Sequence, residues 1–140
     1  MTRGSSTRGI LVLANETADS HVVHEAIRLG LRALGPSAVT IVAPALNSRA
    51  RHWTSDEQAA RGAAELRLAR SIDHLARAGI YAEGWVGDAD PLLAVADALA
   101  TFPADEILVA GAFAEQLLPR VRDRFSLAAF RADESLARAA

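Results

Sequence analysis

The stretch VGDADPLLAVADALATFPADEILVAG, Val86–Gly111, contains one complete strand–helix–strand unit. A strand ends at Val86, Asp90 is placed to cap a helix, and Pro91 occupies a first helical position that needs no N–H. Apolar residues then recur at helical spacing until a second proline, and the apolar run Glu106–Ala110 follows. Because only a few residues separate each strand from the helix, the unit requires a right-handed crossover and a parallel sheet.

The same alternation of apolar runs and amphipathic segments continues on both sides of this unit. Strands are predicted at Gly9–Ala14, Ala38–Ala43, Ile80–Val86, Glu106–Ala110 and, less regularly, Leu127–Phe130. Helices are predicted at about 19–34, 55–78, 91–102 and 114–125, and Pro119 either begins the last helix or kinks it. We therefore predict an α/β fold with a single doubly wound, Rossmann-like parallel sheet of four or five strands, in the order 3-2-1-4-5, with helices on both faces.

One domain is expected for this length. At 140 residues, of which 51% are hydrophobic, the chain can bury one substantial core. Residues 1–8 are predicted to form a disordered tail, 9–130 the α/β domain, and 131–140 a C-terminal tail or short helix. The sequence shows no apolar segment for secretion or membrane insertion, which predicts a cytoplasmic location and no membrane partner.

The composition excludes several classes of function. The chain has no cysteine, so thiolate nucleophiles and cysteine-ligated metals are absent. All 15 basic residues are arginine, which excludes lysine-dependent phosphate loops and Schiff bases. The net charge of −2 is dispersed along the chain and predicts no nucleic-acid partner.

Ligands of a doubly wound sheet bind beyond the carboxyl ends of its strands. The positions that follow the first four strands are therefore the candidate binding residues: Ala14, Asn15, Thr17, Ala43, Gly87, Asp88 and Gly111. Asp88 and Asp90 could hold a metal or contact a ribose, but a turn and a helix cap explain them better, and we predict no metal site. Arg120, Arg122 and Arg124 follow the fourth strand and are the predicted cations for an anionic ligand.

The long second helix has a predicted buried face and a predicted outer face. The buried face consists of Ala60, Ala64, Leu68, Ile72 and Leu75. The outer face consists of Arg61, Glu65, Arg67, Arg70, His74 and Arg77.

The segment His21-Val22-Val23-His24 is similar to the His-x-Gly-His signature of nucleotidyl transferases. In that signature a glycine lets phosphate approach the helix, whereas Val23 places a branched side chain there. Because the chain also lacks lysine, a solvated helix start is the better explanation of both histidines, and no catalytic residue is predicted.

The order of elements and three stretches resemble the universal stress protein family, in its actinobacterial branch. These stretches are ILVLANET at 10–17, AVTIVAP at 38–44 before the long helix, and GDADPLLAVADALATFPADEILVAG at 87–111. The resemblance implies a small α/β domain of the HUP type with a role in stress response or regulation. It also implies frequent homodimers through the last strand, with ATP or AMP bound in some members and no nucleotide in others.

In the members that bind nucleotide, a Gly-x2-Gly-x9-Gly-Ser/Thr loop after the fourth strand holds the phosphates. Gly111 matches its first glycine, whereas Ala114 stands at the second and Arg124-Phe125 at the final pair. We therefore expect a non-enzymatic stress-response or regulatory domain that lacks the usual glycine loop and acts through a small ligand or a protein partner. An ATP- or AMP-binding member is the alternative, and a nucleotidyl-transferase-like enzyme is the second alternative.

Overall fold

The computed structural model of the chain describes residues 8–14, 21–34, 37–45, 56–110 and 114–131. Strands and helices alternate along them. The strands are β1 Arg8–Ala14, β2 Ser37–Pro44, β3 Glu83–Gly87, β4 Glu106–Ala110 and β5 Ala128–Arg131. The helices are α1 His21–Leu34, α2 Asp56–Arg77, α3 Pro91–Thr101 and α4 Ala114–Arg124.

The strands form one parallel sheet in the order β3-β2-β1-β4-β5. Central strand β1 pairs on one side with β2, where Val12 lies opposite Ile41, and on the other side with β4, where Val12 lies opposite Leu108. The chain therefore winds outward from β1 in both directions, as a doubly wound sheet requires. The predicted fold class and strand order are confirmed, and the fifth strand forms.

Alternating side chains of β1 enter two separate apolar layers. Ile10, Val12 and Ala14 join a cluster with residues of α1 and α2, whereas Leu11 and Leu13 join a cluster with residues of α3 and α4. All five residues have no accessible surface, because helices cover both faces of the strand. Helices thus lie on both faces of the sheet, as the sequence predicts.

The boundary of β3 differs from the prediction. The strand begins at Glu83 rather than at Ile80, because the preceding residues complete the end of α2. Gly79 has a φ of +85°, and the N–H of Ile80 donates to the carbonyl of Leu75 at 2.8 Å, as in a Schellman motif. The apolar Ile80 and Ala82 are buried in the α1–α2 layer. Ile80 and Ala82 are therefore apolar because they pack into the core after the end of α2, and they are not residues of β3.

Other boundaries also differ from the predicted ones, most of them by one or two residues. Arg8 and Arg131, assigned to the tails, belong to β1 and β5. Pro119 does not begin the last helix, since α4 starts at Ala114. Residues 1–7 and 132–140 lie outside the described residues. Within the described ranges, no helix combines the length and apolar composition that a membrane span needs.

Candidate functional site

All five strands end at the same side of the sheet, which we call the carboxyl edge, and begin at the opposite side, which we call the amino edge. Each helix that follows a strand must begin near the carboxyl edge and return toward the amino edge. The N-termini of α1, α3 and α4 therefore face the carboxyl edge, and each contributes a partial positive charge there. This edge suits negatively charged ligands.

Helix α2 brings an arginine to the carboxyl edge. Its 22 residues span about 33 Å, whereas the 8 residues of β2 span about 26 Å, so the first part of α2 extends beyond the strand ends. From the middle of the helix, Nε of Arg67 donates to the carbonyl of Ala14 at 3.2 Å, and Nη2 donates to the carbonyl of Pro44 at 2.5 Å. The guanidinium thus bridges the last residues of β1 and β2.

The prediction that Arg67 lies on the outer face of α2 is wrong. The most buried positions of this helix beyond its first turn are Ala64, Ser71 and Leu75, each with no accessible surface. Arg67 falls between them at helical spacing and is half-buried. The Ser71 hydroxyl donates to the carbonyl of Arg67 at 2.8 Å, which satisfies a buried polar group one turn further on. Arg67 and Ser71 are polar residues four positions apart within the buried stripe. This spacing is the sequence pattern that could have indicated the partial burial of Arg67.

The charge of Arg67 is only partly compensated. Burial lowers the pKa of its guanidinium from the ordinary value, although an arginine in a protein stays protonated at neutral pH. Its two acceptors are neutral carbonyl groups. No salt bridge joins Arg67 to a carboxylate among the residues that the structure describes. A negatively charged ligand would supply the missing countercharge.

Asp88 and Asp90 form the loop between β3 and α3. Oδ1 of Asp88 accepts a hydrogen bond from the N–H of Asp90 at 2.9 Å, and Oδ1 of Asp90 accepts one from the N–H of Leu92 at 3.0 Å. These are the bonds of a turn and of a helix N-cap, the interpretation that the sequence favoured. Both side chains are exposed at the carboxyl edge.

Gly87 has a packing role at the end of β3. A Cβ at this position would lie 2.8 Å from Cβ of Ala94 and 2.8 Å from Cγ2 of Val42. The carbonyl of Gly87 accepts a hydrogen bond from the N–H of Ala45 at 3.2 Å. The absence of a side chain therefore allows close contact between β3, α3 and β2, whether or not a ligand binds nearby.

The remaining predicted site residues lie in different places. Ala14 and Ala43 are buried at the carboxyl edge, where the carbonyl of Ala14 is bound by Arg67. Asn15, Thr17 and Gly111 lie outside the described residues.

The predicted cations of α4 occupy successive positions along that helix. Because α4 runs from the carboxyl edge to the amino edge, Arg124 ends near the start of β5, with its Cζ 5.8 Å from the ring centroid of Phe125. Nε of Arg122 donates to the carbonyl of Ala129 at 3.0 Å. Arg120, which precedes Arg122 in α4, is exposed. The structure therefore separates Arg124 from the predicted site.

A second arginine at the carboxyl edge was not predicted. Arg131 ends β5, and its Nη1 lies 3.6 Å from Oε2 of Glu115 in the first turn of α4. This cation has a carboxylate partner, unlike Arg67. No group of three or more His, Asp or Glu residues that could hold a metal ion occurs in the described part of the chain.

Comparison with known proteins gives no assignment. No family model matches the chain. A search of curated proteins likewise finds no significant match.

Proposed function

We propose that this chain is a non-enzymatic regulatory domain of the universal stress protein type, whose carboxyl edge binds a small anionic ligand through Arg67. The observation that carries the proposal is the position of the Arg67 guanidinium, which bridges the ends of β1 and β2 without a described carboxylate partner. The strand order supports it, because ligands of doubly wound sheets bind at this edge.

Arg67 is suited to replace a glycine-rich phosphate loop. Such a loop binds phosphate through backbone N–H groups, whereas a guanidinium offers several N–H donors in a fixed plane together with a full positive charge. Two of these donors hold the carbonyls of Ala14 and Pro44, which orients the group. The remaining donors match the oxygens of a phosphate or carboxylate.

An adenine nucleotide is the first ligand to test, because the family resemblance implies ATP or AMP for some members. Its phosphates would meet Arg67 and the N-terminal ends of the surrounding helices. The nucleotidyl-transferase alternative differs in one observable respect, since such an enzyme would consume the nucleotide.

Isothermal titration calorimetry with AMP, ATP plus magnesium, and adenosine tests the proposal. We expect AMP or ATP to bind more tightly than adenosine, which has the same base and sugar but no phosphate. Loss of a hydrogen-bonded charge costs about 1.5–3 kcal/mol, so Arg67→Gln should weaken nucleotide binding roughly 10- to 100-fold.

Arg70→Gln is the matched control, because it removes an exposed arginine from the same helix. Equal affinities of the two variants, or equal affinities of AMP and adenosine for the unaltered protein, would contradict the role of Arg67. Chromatography of the nucleotide after prolonged incubation separates binding from turnover.

The resemblance also implies a homodimer. Strand β5 lies at an edge of the sheet, so one side of its backbone has no strand partner among the described residues. We propose that two copies pair along β5. Light scattering should then give twice the mass of one chain, and Ala129→Pro should reduce it to the mass of one.

A further inference from the structure

A cavity of about 420 Å³ opens at the amino edge, at the other end of the sheet from Arg67. The first residues of β2, the connection between α2 and β3, and the final parts of α1 and α3 surround it. Leu31, Val39, Ile80 and Phe102 supply apolar walls. This volume falls in the range of small-molecule sites, which are mostly apolar with a few polar groups.

One charged side chain lines this cavity among the described residues, namely Glu83. The hydroxyl of Tyr81, another lining residue, donates to Oε2 of Glu83 at 2.9 Å. This hydrogen bond, together with the negative charge of Glu83, raises the pKa of Tyr81 above its ordinary value. The phenol engages one oxygen of the carboxylate, which has further acceptor capacity.

The ends of three helices lie near this cavity. Helices α1, α2 and α3 all end at the amino edge, where their last carbonyl groups carry partial negative charge, and the last turns of α1 and α2 also hold Arg32, His74 and Arg77. Arg77 is paired with Asp73 at 3.1 Å. Arg28 reaches this edge and donates to the carbonyl of Ala78 at 2.5 Å, but its other terminal nitrogen lies 2.6 Å from the Glu25 carboxylate. Its charge is thus compensated by Glu25 and leaves that of Glu83 in place.

We propose that the amino-edge cavity binds a small organic cation, an amine or guanidine with an apolar body, whose charged group pairs with Glu83. The apolar body occupies the space between Leu31, Val39 and Ile80. The ring of Tyr81, 78% exposed at the rim, offers a π surface to the same cation. This site is independent of the anion site at Arg67.

A series of three ligands of similar shape tests the inference: phenethylamine, phenethyl alcohol and phenylpropionate. Calorimetry should show the amine binding roughly 10-fold more tightly than the alcohol, and no binding of the acid. Methyl NMR should localise the amine-induced shifts to Leu31, Val39 and Ile80. Equal affinities for amine and alcohol, no binding of the amine, or shifts elsewhere would overturn the proposal.

Two glutamate variants then isolate the role of the charge. Glu83→Gln should reduce the affinity for phenethylamine to that for the alcohol and leave the alcohol unaffected. Glu65→Gln removes an exposed carboxylate from α2 without altering the cavity lining, and should leave both affinities unchanged. If the two variants weaken amine binding equally, the effect reflects net charge and the proposed pairing is wrong.

Discussion

Arg67 contributes to stability through the same hydrogen bonds that place it at the carboxyl edge. Arg67→Met keeps an apolar stem of similar length but leaves the carbonyls of Ala14 and Pro44 without this donor. We expect a loss of about 2–3 kcal/mol in the free energy of unfolding, measured by urea denaturation. Arg70→Met should change it by less than about 0.5 kcal/mol, and a similar loss in both variants would contradict this account.

Tyr81 provides a direct test of its hydrogen bond to Glu83. It is the single tyrosine of the chain, so its ionisation can be followed by ultraviolet absorbance without overlap. The midpoint of this titration, which gives the pKa of Tyr81, should lie above the ordinary pKa of tyrosine because the Glu83 carboxylate opposes formation of the phenolate. Glu83→Gln should lower the pKa of Tyr81. Since the folded pKa is raised, the contribution of this bond to stability is present below the unfolded pKa and is lost as the pH rises through the folded one. A midpoint unaffected by the substitution would exclude the contact.

Replacing glycine by alanine should destabilise the protein at Gly87 and stabilise it at Gly62. Gly87→Ala places Cβ against Ala94 and Val42, and such overpacking should cost about 1–3 kcal/mol. Gly62 lies exposed in α2, where an added Cβ would meet no atom within 4 Å beyond its own helix backbone, so Gly62→Ala should stabilise by about 0.5–1 kcal/mol. Thermal denaturation of the two variants measures both shifts, and a shift of the same sign in both would contradict the packing role of Gly87.

At the scale of elements, α3 depends on its first turn. Asp90 accepts the hydrogen bond of Leu92, and Pro91 follows it in the first helical position. Asp90→Ala should cost about 1 kcal/mol in the free energy of unfolding. Asp97→Ala, in the same helix and exposed, is the control and should be neutral or slightly stabilising. An equal effect of both changes would show that the cap contributes nothing.

Helix α2 illustrates how far the sequence predicts the site. Its existence and its apolar positions follow from periodicity, but two polar residues, Arg67 and Ser71, occupy the buried stripe and shift its centre. The role of Arg67 depends on carbonyls at the ends of β1 and β2, which are distant in sequence, so local spacing alone assigned Arg67 to the outside. The loop between β3 and α3 was predictable because its hydrogen bonds are local.

On the scale of the whole molecule, the parallel arrangement separates opposite potentials. Helix N-termini and Arg67 lie at the carboxyl edge, whereas helix C-termini and Glu83 lie at the amino edge. The strand order could be predicted because the short connections and the continuous apolar run Gly9–Ala14 of β1 restrict the topology to few arrangements. The cavity could not be predicted, because it is formed by the ends of several elements and no sequence pattern indicates that these ends lie together.

The position of each strand in the sheet also predicts how strongly its amide hydrogens are protected from exchange with solvent. Strands β1, β2 and β4 each have two neighbours and are buried, whereas β3 and β5 lie at the edges. Amide hydrogen exchange should therefore be slowest in β1, β2 and β4, with opening free energies close to that of global unfolding. Faster exchange in β1 than in β5 would contradict this arrangement.

The pairing of β1 with β4 has a consequence for synthesis of the chain. The N–H of Gly9 donates to Oδ2 of Asp105, a partner 96 positions away in sequence. At ribosomal rates of about 5–20 residues per second, roughly 5–20 s separate the two residues during translation. Strand β2 is synthesised much sooner than β4. Strand β1 can therefore pair with β2 while its other side still lacks a partner strand. The strand of this sheet that is synthesised first is thus among the last to be completed, and the nascent chain must keep this apolar segment from aggregating in that interval.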